Sequence, residues 1–346
     1  MWYSPSAATS HLPVASTRST RLEVTASASR GTDGGVELRN LGRSGLRVSA
    51  VGLGCNNFGS RVDRPSARAV VAKALDLGIT LFDTADIYGN RGGSEEILGD
   101  ALGARRKDVV LATKFGVPMD DGEKRGASRR WIMAAVADSL RRLRTDWIDL
   151  YQLHWPDPLT PIEETLRTLD DLVHAGRVRY VGVSNLPAWQ VVDAVWTARS
   201  AGLAPVVSCQ DEYNLLVRRI ERDLLPAIEA HRLGLLPYFP LAGGLLTGKY
   251  RRGEPPPEGT RLASARFGQR FLTEANVERV ERLIAFAEAH GRSLLELAFS
   301  WLATRPAVAS VIAGATRPEQ VEANVGALGW QLGADDLAQI DAITAR

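Results

Sequence analysis

Cysteine is almost missing from this sequence, since Cys55 and Cys209 are the only two among 346 residues. Two thiols cannot build a disulfide scaffold and fit a reducing compartment, so a cytoplasmic protein is expected. No stretch approaches about eighteen consecutive apolar residues, so no transmembrane helix is expected. An excess of one sign of charge is missing too. The 42 Lys and Arg against 40 Asp and Glu leave a net charge of +2, which offers nucleic acid or an anionic membrane little to hold. Histidine is scarce: His11 lies near the start, His174, His231 and His290 fall in helical stretches, and only His154 falls at the end of a predicted strand. That scatter supplies no metal cluster, and no metal is expected. No Ser nucleophile elbow is present either.

What is present begins with a contrast of composition. Residues 1 to about 36 are dominated by Ser, Thr and Ala, with Arg18, Arg21 and Arg30 set against only Glu23 and Asp33. They read as a disordered extension. Without an apolar core segment or a long amphipathic stretch, a targeting peptide is not the expected reading. Residues 37–346 read as a single domain.

From Leu38 the pattern becomes regular. "LRNLGRSGLRVS" has a Gly-containing turn between two short strands and predicts a hairpin. Eight candidate strands follow: "SAVGLGC", "TLFDTAD", "VVLATKF", "IDLYQLHW", "VRYVGVSN", "VVSCQDEY", "LLPYFPL" and "VASVIAGA". Amphipathic stretches alternate with them. In "SRRWIMAAVADSLRRL" the positions Ile132, Val136, Leu140 and Leu143 share one face. "PIEETLRTLDDLVHAG" runs from Pro161 to Gly176, and "PEQVEANVGAL" opens on Pro318, as helices do. Strand then helix, repeated eight times, predicts a (β/α)8 TIM barrel with the N-terminal hairpin capping its bottom.

In such a barrel an active site lies at the C-terminal ends of the strands. The polar residues gather at those ends: Asp83, Asp86 and Tyr88 after the second strand, Thr113 and Lys114 on the third, and Gln152 and His154 on the fourth. Ser184 and Asn185 end the fifth, and Gln210, Asp211 and Glu212 end the sixth. Any one of these alone would pass for a snorkelling lysine or an Asx turn. Several strand ends offering acid–base or amide groups point to an enzyme.

The motifs "FDTADIYGNRGGSEEILG", "ATKFG", "LYQLHWPD", "VGVSN" and "YFPLAGGLLTGKY", in this order, resemble the aldo-keto reductases from about Leu38 to about Leu328. The resemblance implies a barrel that binds a nicotinamide cofactor without a Rossmann fold. It also implies a catalytic tetrad of Asp83, Tyr88, Lys114 and His154. Reduction of a carbonyl needs a proton donor within hydrogen-bond reach of the oxygen, and Tyr88 is the candidate. The charge of Lys114 is expected to lower the pKa of Tyr88, with Asp83 keeping Lys114 charged and His154 orienting the carbonyl. Asp86, outside the tetrad, is assigned a turn or capping role.

Cofactor contacts are implied in the same way. Ser184, Asn185 and Gln210 would hold the nicotinamide carboxamide, and Tyr238 would stack on its ring. Tyr213 is expected to serve packing. The backbone of Leu241, Gly243 and Leu245, with Lys249 and Arg261, would meet the pyrophosphate. Phe239 stands where the family usually has Ser, so no hydroxyl contact is expected there. Gly314, Arg317, Gln320 and Asn324 follow the eighth strand at the adenosine end, and the guanidinium of Arg317 favours NADPH over NADH. The glycines of "GLGCNNFG" lack the G-x-G-x-x-G spacing and are not read as a Rossmann motif. The long connection over 243–273 is expected to be a lid, with Phe267 facing substrate.

The expected activity is reversible, NADPH-dependent reduction of an aldehyde or ketone. The alternative is a regulatory subunit resembling the channel-associated members of the family, which use the cofactor as a sensor. A third possibility, an isomerase or lyase on the same barrel, would require that no nicotinamide cofactor bind. No motif names the substrate or the oligomeric state.

Overall fold

A computed structural model describes residues 36–120, 122 and 124–345. Apart from Val36, the expected N-terminal extension lies outside the described residues. The first elements are the hairpin strands β1 (Leu38–Asn40) and β2 (Arg47–Ser49), paired antiparallel. Eight parallel strands follow: β3 (Val51–Gly54), β4 (Leu81–Asp83), β5 (Val110–Phe115), β6 (Ile148–Leu153), β7 (Val178–Ser184), β8 (Val206–Glu212), β9 (Gly234–Tyr238) and β10 (Val311–Gly314). All eight expected strands form. Their apolar runs do not alternate with polar residues because helices cover one face and the barrel core fills the other.

The strands pair in the order β10-β3-β4-β5-β6-β7-β8-β9. The seam between β9 and β10 is drawn together by Leu235 N–H donating to Ala307 O at 2.7 Å and Ala309 N–H donating to Leu235 O at 3.0 Å. The architecture is a (β/α)8 barrel.

The helices are α1 (Arg64–Asp76), α2 (Tyr88–Leu102), α3 (Arg129–Leu143), α4 (Ile162–His174), α5 (Ala188–Ser200), α6 (Leu224–His231), α7 (Ala265–Phe271), α8 (Glu274–Ala289), α9 (Leu294–Ala303), α10 (Pro318–Gly326) and α11 (Ala334–Thr344). Their starts follow local chemistry. The Asp63 side chain caps α1 by accepting from Ser66 N–H at 3.0 Å, and Ser293 with Glu296 forms a capping box on α9. On α3 the buried face contains Ile132, Val136 and Leu143 as expected. It also takes in Trp131, Ala135, Ser139 and Arg142, while Leu140 is only half buried. None of the helices among the described residues is long and apolar enough to cross a membrane.

The hairpin plugs the bottom of the barrel. Leu41 and Val48 are buried against Leu81, Ala112, Leu150 and Leu236, the side chains that fill the barrel interior. Gly42 makes the approach possible: at φ 59° it has a conformation suited to glycine, and a Cβ there would lie 2.6 Å from Gly234 N. With the lower end closed by apolar packing, the open end lies at the C-terminal ends of the strands.

Candidate active site

The upper mouth of the barrel holds a cavity of about 980 Å³ lined by Asp83, Tyr88 and His154. Lys114, fully buried, lies just behind this lining. Its ammonium donates to Asp83 Oδ2 at 2.7 Å and to Thr84 O at 2.7 Å, and sits 5.1 Å from the centroid of the Tyr88 ring. The rings of Tyr88 and His154 meet edge to face with centroids 5.7 Å apart. Three strand ends and the first residue of α2 therefore bring the four expected residues into one group.

Their ionisation follows from burial first. Burial alone would pull the Lys114 ammonium towards neutrality, but the charges and hydrogen bonds of Asp83 and Tyr88 outweigh it and raise its pKa above the ordinary lysine value. Tyr88 departs from the expected direction: burial raises its pKa above the usual phenol value, and Lys114 only partly reverses this because Asp83 and Asp86 oppose it. His154 is pushed down to about 3 by burial and by the Lys114 charge, which leaves the ring neutral at ordinary pH. Its Nδ1 is buried without a hydrogen-bond partner among the described residues.

Asp86 lies in a turn, as expected, which Tyr88 N–H closes by donating to Ala85 O at 3.1 Å, but its side chain is not a cap. The start of α2 has no side-chain cap, and Asp86 is 1% exposed with neither carboxyl oxygen hydrogen-bonded.

The residues assigned to the carboxamide are linked to the tetrad and to one another. Gln210 Nε2 donates to Asp83 Oδ1 at 3.0 Å, and Ser184 Oγ donates to Gln210 O at 2.8 Å. Asn185, in the left-handed region at φ 61°, donates from Nδ2 to His154 O and to Ser184 Oγ, each at 3.0 Å. Its Oδ1 accepts from Tyr238 Oη at 2.7 Å. Tyr213 is buried against Trp301 and bonds Glu221, the packing role expected of it.

After β9 the backbone turns through positive φ at Phe239, Ala242, Gly243, Gly244 and Gly248, exposing a concave run of main chain. Leu241, Gly243 and Lys249 line the cavity there, as do Arg261, Gly314, Arg317, Gln320 and Asn324. Leu245 does not; it is buried in the core. Lys249 has its pKa lowered by burial and by the neighbouring charges of Arg61 and Arg317. Arg61, Lys249, Arg261 and Arg317 all line this part of the cavity, with Glu258 as the neighbouring acid, and such a gathering of cations suits a phosphate-bearing ligand such as a nicotinamide dinucleotide.

Three contributors were not foreseen. Asn56, Asn57 and Arg61, between β3 and α1, line the cavity and meet the long connection after β9. Arg261 donates to Asn57 Oδ1 at 2.5 Å, and Arg61 donates to Gly259 O at 2.7 Å. The paired asparagines directly after an apolar strand were the available signal. Phe267, expected to face substrate, instead packs edge to face on Phe239 at 5.8 Å and lies beneath Arg261.

A sequence model described as "Aldo/keto reductase family" matches residues 50–345. The chain is 38% identical over 301 residues to a probable voltage-gated potassium channel subunit beta of Oryza sativa subsp. japonica, covering 85% of this chain and 91% of that one. It is 37% identical over 322 residues to the L-glyceraldehyde 3-phosphate reductase of Escherichia coli (strain K12), covering 89% and 92%. Aldo-keto reductase YhdN of Bacillus subtilis (strain 168) is 36% identical over 318 residues, covering 89% and 93%. With the barrel, the buried Lys114–Asp83 pair under Tyr88 and these matches, the chain belongs to the aldo/keto reductase family.

Proposed function

We propose that the protein reduces an aldehyde or ketone to an alcohol, reversibly, with NADPH, and that Tyr88 is the proton donor. The observation that carries this reading is the fully buried Lys114, charge-balanced by Asp83 at 2.7 Å and set beside the Tyr88 ring. A buried ion pair is a poor source of stability, so its place next to a half-buried phenol that lines the cavity calls for a chemical use.

A nicotinamide held by these cavity residues would supply the hydride that the carbonyl carbon takes up. As the oxygen gains negative charge, Tyr88 Oη gives it a proton. A phenol is protonated at neutral pH, the more so with its pKa raised, so the donor is loaded before each turnover. Lys114 stabilises the phenolate left behind, and solvent entering the open cavity returns the proton. Neutral His154 is suited to donate a hydrogen bond that orients the carbonyl.

Ser184, Asn185 and Gln210 are assigned to the carboxamide and Tyr238 to the ring face. The backbone at Leu241 and Gly243, with Lys249 and Arg261, is assigned to the pyrophosphate, and Gly314, Arg317, Gln320 and Asn324 to the adenosine end. Among the described residues Arg317 pairs only with an exposed Glu319 at 3.7 Å, a weak pair that leaves its guanidinium open to a 2′-phosphate. Two buried free thiols, Cys55 and Cys209, support a cytoplasmic location.

The test is NADPH oxidation with an activated aromatic aldehyde, with glyceraldehyde 3-phosphate as a second substrate because of the Escherichia coli relative's name. Tyr88→Phe should lose about 10²- to 10⁴-fold in turnover while still binding NADPH. NADH run in parallel decides the cofactor preference. A second reading, a cofactor-binding regulatory subunit, is favoured by the name of the Oryza sativa relative. NADPH binding without turnover of any carbonyl would move the assignment to it.

A further inference from the structure

Two residues before Tyr88 stands an acid that the proposed reaction leaves unused. Asp86 is 1% exposed, and neither of its oxygens has a hydrogen-bond partner among the described residues. Its main chain is tied to the strand carrying the catalytic lysine, because Asp86 N–H donates to Lys114 O at 3.1 Å.

The charged and titratable groups around it come from four elements. They are Glu95 and Tyr88 of α2, Arg142 of α3, Lys114 of β5 and Tyr151 of β6. None is free to serve as its counter-ion. Arg142 Nε donates to Glu95 Oε2 at 2.7 Å, and the other oxygen of Glu95 accepts from Thr113 Oγ1 at 2.6 Å. Lys114 is taken by Asp83 and Thr84. The Tyr151 hydroxyl is buried and equally unpartnered. A bare carboxylate in such a place is costly, whereas a protonated acid fits. Burial, then the Glu95 charge, accordingly raise the Asp86 pKa well above the ordinary carboxylate range, against partial opposition from Arg142, the Ile87 N–H and Lys114.

We propose that Asp86 is a positioning residue for the proton step at Tyr88: neutral while carbonyls are reduced, it leaves the Lys114 charge unopposed from that side, and once ionised it disfavours the Tyr88 phenolate and slows reduction. The inference rests on the reductase reading of the site. Its sign is fixed by the chemistry. Reduction places negative charge on Tyr88, a second negative charge nearby makes that harder, and so an ionising Asp86 depresses the rate from the alkaline side.

Asp86→Asn keeps the shape and remains neutral at every pH. With the rate scaled to its own maximum, the alkaline decline in carbonyl reduction should move to higher pH by about half a unit or more. A second reading needs no turnover: the tyrosinate absorbance of the protein minus that of its Tyr88→Phe form, titrated with and without Asp86→Asn. Tyr88 should ionise at lower pH once Asp86 is neutralised. If neither the decline nor the Tyr88 ionisation moves, the inference is overturned. If Tyr88 ionises earlier but the protein reduces no carbonyl, the coupling stands and only the reductase reading falls. Asp86→Ser, also neutral and smaller, should give the same displacement should the Asn form not fold.

Discussion

The Gln210 amide donates to Asp83 Oδ1 at 3.0 Å, joining positions 127 residues apart. That bond ties the residues assigned to the nicotinamide carboxamide to those assigned to proton transfer. Asp83 also accepts from Lys114, so its orientation depends on both donors. Gln210→Leu should therefore weaken NADPH binding and lower turnover together, with about 1.5–3 kcal/mol lost from a bond to a charged group. Fluorescence titration with NADPH beside steady-state turnover checks this. Weaker binding with unchanged turnover would show that Asp83 holds its place without Gln210.

Lys114→Met should cost stability as well as activity, because it leaves Asp83 buried beside a neutral group. Breaking a buried pair from one side costs about 3–5 kcal/mol, largely through the stranded charge. Lys114→Met combined with Asp83→Leu should recover most of that stability and none of the turnover. Urea unfolding of the two forms separates the contributions, and equal midpoints would mean that Asp83 had found another partner.

Asp83, Lys114 and His154 were legible as candidates because each sits where an apolar run ends, as in "FDTAD", "ATKF" and "LYQLHW", whereas Tyr88, beyond the strand, was singled out by the family resemblance. The barrel was legible for a related reason: parallel strands covered on both sides leave unbroken apolar runs, and their helices carry local start signals. The contacts of the long connection were not. Arg261 meets Asn57 across 204 positions and Arg61 meets Gly259 across 198, and no local pattern encodes a pairing at that distance. The acidity of Tyr88 was misjudged for a similar reason. The charge of Lys114 can be counted from sequence, but the burial that outweighs it and the opposition of Asp83 exist only once the barrel closes.

Two buried groups give the stability opposite slopes against pH. Burial raises Asp211 from an ordinary 3.8 to about 6, so the stability it contributes is full below 3.8 and is lost as pH rises through 6. His154, lowered from 6.5 to about 3, contributes stability that is full above 6.5 and is lost as pH falls through 3. Asp211→Asn should remove the first slope and keep an acceptor for the Cys209 thiol, which now lies 3.2 Å from Asp211 Oδ2. At pH 7 the variant should be more stable by up to roughly 3 kcal/mol, with little gain near pH 4. Denaturant unfolding at both values tests this, and a gain of the same size at each would put its origin elsewhere than in the Asp211 charge.

Tyr88 is carried on a turn of unusual hand. Gly89, Asn90, Arg91 and Gly92 follow it with φ of 65°, 61°, 69° and 118°, a run through the left-handed region before α2 resumes. A Cβ at Gly89 would lie 2.5 Å from Phe58 O and crowd Ser94 N. Ser94 in turn is anchored, donating to Cys55 O at 2.8 Å. Gly89→Ala should therefore combine about 1–2 kcal/mol of left-handed strain with about 1–3 kcal/mol of overpacking, and shift Tyr88 relative to Lys114. Gly176 isolates the first part, since at φ 72° it has no atom within 4 Å of its added Cβ. Gly176→Ala should lose only the strain and keep full turnover. Unfolding midpoints and turnover of the two variants form the comparison. Equal losses would mean that the backbone around Phe58 and Ser94 gives way, and that the turn does not hold Tyr88 in register.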